Sequence, residues 1–139
     1  MRRILLSLAV ASVFACAKDA PMAPNAVIAP DAVIGQYNIA TVDGFNLPMQ
    51  IGQQGSTGVD VLAGALELEE DASFRDIVTI RTRGAGGVKV YVDTVVGSFL
   101  HFQNTLLLTP RDGSSPTFLD VTDDKTLTSW DFDVIVYRR

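Results

Sequence analysis

The chain has one cysteine, Cys16, and one histidine, His101, among its 139 residues. A single cysteine excludes an internal disulfide and a thiolate zinc site. A single histidine excludes a histidine-rich zinc centre, and it can act as a base only with a nucleophile or carboxylate beside it. Basic residues are not in surplus: 11 Lys and Arg stand against 16 Asp and Glu, a net charge of −5. That balance argues against nucleic acid, whose phosphates require a basic face, and against electrostatic docking on anionic lipid. No apolar run approaches the roughly 20 residues that span a bilayer. The longest, Ile4 to Ala15, has 12 residues and is interrupted by Ser7 and Ser12. Catalytic signatures are missing too. There is no G-x-S-x-G elbow, and Gly84, Gly86 and Gly87 lead into no lysine–serine pair or helix of a phosphate loop. Asp120, Asp123, Asp124, Asp131 and Asp133 lack calcium-loop spacing and read as solvated turn carboxylates. With no acid–base pair to assemble, the chain is not expected to be an enzyme, and no cofactor or metal is implied.

What is present begins with an address. Arg2 and Arg3 precede the short apolar run, the pattern of a cleavable signal peptide over residues 1–15. Val13-Phe14-Ala15 before Cys16 resembles the lipobox of bacterial lipoproteins, with Phe14 departing from the usual small or aliphatic choice. The resemblance implies acylation of Cys16 and a membrane anchor, each buried CH₂ contributing roughly 0.8 kcal/mol. Ala17, not an aspartate, follows the cysteine, which in many Gram-negative bacteria directs a lipoprotein to the outer membrane. Ala15-Cys16-Ala17 is also an A-x-A site, and cleavage after Ala17 would release a soluble periplasmic or secreted chain. Without residues 1–15, nine basic residues face sixteen acidic ones, a net charge of −7. Residues 16–33 hold Pro21, Pro24 and Pro30 among alanines and read as a tether, a propeptide or disordered tail being the alternative. At about 3.1 Å per residue, such a tether reaches up to ~50 Å.

From residue 34 to 139 the pattern is alternation, β-branched residues and frequent turn signals, which predicts one antiparallel all-β domain. Strand one carries Tyr37, Ile39 and Thr41 on one face, and strand two carries Phe45, Leu47, Met49 and Ile51. A three-residue loop, Val42-Asp43-Gly44, would pair Ile39 with Leu47 and Tyr37 with Met49, keeping the apolar faces together. Pro48 marks an edge or bulge. Residues 52–60 read as a polar, glycine-rich loop. Leu62, Gly64, Leu66 and Leu68 are expected inward on strand three, with Glu67 and Glu69 outward. On strand four, Phe74, Val78 and Ile80 alternate with Arg75, Arg81 and Arg83, which are expected to face those glutamates. Asp76 shares the parity of Phe74 and Val78, so it sits at a rim or needs an interior partner. Residues 88–102 form one long strand, bent or bulged near Gly97. Gln103-Asn104 turns it back, placing His101 opposite Leu106. Strands near 117–122 and 126–138 complete the set, the last one broken around 131–133. Eight strands in succession predict an up-and-down barrel, with a two-sheet sandwich as the alternative.

In this order, Gly35-Gln36-Tyr37, Val42-Asp43-Gly44, Leu47-Pro48, Leu66-Glu67-Leu68 with Phe74, Gly97-Ser98-Phe99, Asn104 to Thr109 and Val136 to Arg139 resemble the lipocalin-like, calycin-type small secreted lipoproteins of bacteria. Tyr37 stands where true lipocalins carry tryptophan, and Ala72 and Gln103 occupy turn positions where this group often has glycine. The resemblance implies an eight-stranded barrel, and a shared fold fixes function only loosely. The expected role is an envelope-anchored, non-catalytic module binding a small apolar or amphipathic ligand; the alternative is a structural or protein-interaction module with a filled core, using loops 52–60 and 110–116. Candidate ligand-binding residues are Tyr37, Leu47, Leu66, Leu68, Phe74, Phe99, His101, Leu106 and Leu108. His101 otherwise reads as a structural or rim residue, and Trp130 as core or barrel lid. Palmitate labelling is expected to mark the native chain and not Cys16→Ser; no label on either would point to cleavage after Ala17.

Overall fold

A computed structural model describes residues 30–131 and 133–139. The leader, Cys16 and the tether up to residue 29 therefore lie outside the described residues. Ten strands follow a short 3-10 turn at Pro30–Val33: β1 (Gly35–Val42), β2 (Phe45–Asn46), β3 (Met49–Gln54), β4 (Thr57–Leu68), β5 (Ser73–Gly84), β6 (Gly87–Phe102), β7 (Thr105–Pro110), β8 (Thr117–Asp123), β9 (Thr126–Ser129) and β10 (Ile135–Arg138). From β4 to β10 each strand pairs antiparallel with the next. β1 pairs with β10 on one side and with β4 on the other, so eight strands close into an up-and-down barrel. The two extra strands, β2 and β3, pair with the far ends of β1 and β4.

Period-two alternation fills the barrel. Tyr37, Leu66, Leu68, Leu106, Leu119 and Leu127 are all fully buried, each contributing roughly 1.5–3 kcal/mol on leaving water. Phe74 reaches across Gly97, where a side chain would overlap its ring and the Thr109 carbonyl oxygen. β6 stays in unbroken register with β5 and β7 through this point, so Gly97 serves close packing and no bulge forms there.

The first hairpin departs from the expected register. Asp43 and Gly44 form a two-residue turn with φ of 51° and 81°, and Val42 pairs with Phe45. Such a turn needs two left-handed residues, which Asp-Gly supplies. Ile39 opposes Tyr137 and Tyr37 opposes Leu66, not Leu47 and Met49. Matching apolar faces within the hairpin does not set this register, because the second strand breaks at Leu47-Pro48 and β1 spends both edges on distant strands. Residues 52–60 are also not a loop. They belong to β3 and β4, joined at Gly55-Ser56. A bulge between Val61 and Ala63 then shifts parity, so Val61 and not Leu62 is buried. The arginines divide as well. Arg75 meets Glu67 at 3.8 Å, whereas Arg81 and Arg83 both clasp Asp60, at 2.7 and 2.6 Å. The Arg81 hydrogen bond, followed by that of Arg83, holds the Asp60 carboxyl below the usual carboxylate range. Ala72 and Gln103, at φ of 63° and 55°, occupy the left-handed region where glycine is at ease.

One end of the barrel is shut by the 3-10 turn. Val33 is fully buried, and the Tyr37 hydroxyl donates to its carbonyl at 3.0 Å. The Arg139 guanidinium lies over the Tyr37 ring, 5.2 Å from its centroid, and donates to the Ala32 and Ile34 carbonyls at 2.6 Å each. Burial raises the Tyr37 phenol above its ordinary range, an effect that Arg139 opposes. Tyr37→Phe strands the buried Val33 carbonyl and is expected to cost about 1–2 kcal/mol in urea unfolding; an unchanged midpoint would show that the turn does not depend on this bond.

Candidate functional site

The opposite end is open, and its cavity is built from alternate residues of several strands. β1 contributes Ile39 and Val42, β4 Val61, β5 Asp76, Val78 and Ile80, and β6 Asp93 and Val95. Ile51 of β3, Ile135 of β10 and Asp133 of the preceding loop complete a wall that is aliphatic apart from three carboxylates. The volume is about 200 Å³. That is below the roughly 300–1,000 Å³ that encloses a drug-sized molecule, so the cavity suits a short chain or one end of a longer one.

Asp76 gives this cavity its chemistry. It is directed inward from β5, and its Oδ1 is buried with no hydrogen-bond partner. Tyr137, on β10 across the barrel, offers its hydroxyl to the same carboxyl. Burial lifts the Asp76 carboxyl to about 6; the negative charge of Asp93 adds to the rise, and the Tyr137 hydroxyl opposes it. The Tyr137 phenol is driven upward in turn, first by burial and then by Asp76. No basic side chain lines the cavity, and its three ionisable groups are all acids. Among the described residues no three His, Cys, Asp or Glu side chains are placed to hold a metal ion.

The residues singled out from sequence fall elsewhere. Tyr37, Leu66, Leu68, Phe74, Leu106 and Leu108 are together in the packed core, with Leu47 partly buried against them. Phe99 and His101 reach an open cleft of about 660 Å³ at the shut end, beside Asp31, Ile34, Glu70 and Leu100. His101 does oppose Leu106, and both its ring nitrogens are out of solvent without partners. Trp130 is neither core nor lid: it is 62% exposed, and its Nε1 donates to Asp120 at 2.9 Å. The mouth residues Ile39, Val42, Val61, Asp93 and Asp133 were not among the candidates. For Asp93 the signal was its place opposite Val78, which shares the parity of Asp76.

The chain matches no family model and no curated protein.

Asp76 makes stability depend on pH with a definite sign. Its folded value lies above the ordinary 3.8, so ionisation disfavours the folded state and stability falls between about pH 4 and pH 6. Asp76→Asn is expected to gain up to roughly 3 kcal/mol at pH 8 and almost nothing near pH 4. Urea unfolding at the two pH values checks this; a gain of equal size at both would remove the carboxylate's ionisation as the cause.

Proposed function

We propose that this chain is an exported, envelope-anchored lipocalin-like lipoprotein, held by an acylated Cys16, that binds one small apolar or amphipathic ligand without catalysis. The observation that carries the reading is the half-enclosed aliphatic cavity with an unsatisfied carboxyl oxygen of Asp76. An apolar cavity with few, convergent polar groups is the ordinary form of a small-molecule site. The charge of the mouth narrows the ligand class. A fatty carboxylate would enter a field set by Asp76, Asp93 and Asp133, while an ammonium or other donor head group would give the stranded Asp76 oxygen a partner. The apolar part of such a ligand would lie along Ile39, Val61 and Val78.

A second reading has its own support. The filled core around Tyr37, Leu66 and Leu106 leaves no continuous lumen, which favours a protein-interaction module of the cell envelope that works through its outer surface.

Titration with an alkylammonium and an alkylcarboxylate of equal chain length separates the two. The ammonium is expected to bind at least about tenfold more tightly, and Val78→Phe, which fills the cavity, to abolish its binding. Binding of neither compound would sink the ligand reading and leave the interaction module; so would equal binding by the filled variant.

A further inference from the structure

Among the described residues, the longest stretch of barrel strand left paired on one side only lies in β6. This strand pairs with β5 along almost its whole length, from Gly87 to Ser98, but with β7 only from Gly97 onward. Between residues 87 and 95 its other side has no backbone partner among the described residues. The direction of the free groups follows from two bonds. The Val96 carbonyl accepts from the Arg111 amide on the β7 side, and the Phe99 amide donates to the Ala72 carbonyl on the β5 side. Alternate residues of a strand point their amide and carbonyl groups to opposite sides. The free edge is therefore presented by Val88, Val90, Val92 and Thr94. The Thr94 amide is already met by the Asp93 carboxylate, at 3.0 Å. Val88, Val90 and Val92 have no such cover, and the residues are 64%, 58% and 61% exposed. No proline or bulge blunts this edge, and Lys89 is its one basic residue.

We propose that this edge pairs antiparallel with the same edge of a second copy of the chain, about a two-fold axis at Tyr91. The register is fixed by charge and parity. Centring on Tyr91 places Lys89 opposite Asp93 of the second copy, twice, at positions where facing side chains lie closest. Val90 then opposes Val92 as a hydrogen-bonded pair, using the free amides and carbonyls. Centring on Val90 or Val92 leaves Lys89 facing Tyr91 or Val95 and pairs neither charge. The join continues the sheet from one barrel into the other and sets the valines of the two copies side by side on its outer face. It does not rest on the ligand reading, although Asp93 also lines the cavity mouth.

Sedimentation equilibrium on the full chain carrying Cys16→Ser, which removes thiol cross-linking, tests the assembly. A reversible dimer is expected at micromolar concentrations. Val90→Pro deletes an edge amide that β5 does not use, so the barrel is kept while dimerisation weakens at least about tenfold. Lys89→Asp and Asp93→Lys should each weaken it similarly, and the double swap should restore it. A chain that stays monomeric, including one that takes up an unrelated extended peptide on this edge, overturns the proposal. A dimer indifferent to Val90→Pro, or a double swap that restores nothing, overturns it equally.

Discussion

Hydrogen bonding on both sides of β1 is the constraint from which the rest of the molecule follows. Its first half pairs with β4 and its middle and second half with β10, so the ladder that begins at β4 returns to its start. These contacts join residues far apart in sequence and carry a large loop-closure cost, which the burial around Tyr37 and Leu66 must offset. The lock formed by Tyr37, Val33 and Arg139 sits at this seam. It satisfies the buried Val33 carbonyl, and through Arg139 it ties the residue that follows β10 to the first turn of the domain.

Closure also decides where polarity can be placed. In a barrel with one plugged end and a leucine-filled centre, the open mouth is where inward residues of several strands meet solvent. Asp76 lies at that transition, far enough inside to lose hydration and near enough to the mouth to be reached. The Asp60 cluster shows the opposite solution to a shielded carboxylate. There two guanidinium groups bond both oxygens and hold the charge, whereas Asp76 has only a phenol and a neighbouring acid. The two aspartates thus move in opposite directions, and Asp76 is left with an unpaired acceptor oxygen beside a cavity.

Much of this architecture was legible because parity survives along single strands. The alternation of Leu66, Leu68 and Phe74 against Glu67 and Arg75 identified the core faces, and the Gln103-Asn104 turn fixed His101 against Leu106. The parity of Asp76 pointed to an interior polar group. What failed were non-local or compositionally masked features. The hairpin register was argued from Leu47 and Met49, although β1 finds its partners some thirty and a hundred residues away. Gly52 to Asp60 carry so much glycine and glutamine that a continuous hairpin looked like a loop. The mouth cavity joins residues of six separate segments, and no spacing within one segment reports that. Trp130 misled for another reason: its ring is out in solvent because the indole nitrogen is engaged by Asp120 on the outer wall.

The position of the plugged end has a geometric consequence. The described chain enters through the Pro30–Val33 turn, packed against Tyr37, while the cavity opens where β1 ends at Val42. Anything upstream of residue 30 therefore joins the barrel at its base. If that upstream stretch is moored in a bilayer, the barrel is held by its foot, and its acidic rim lies at the end away from the attachment.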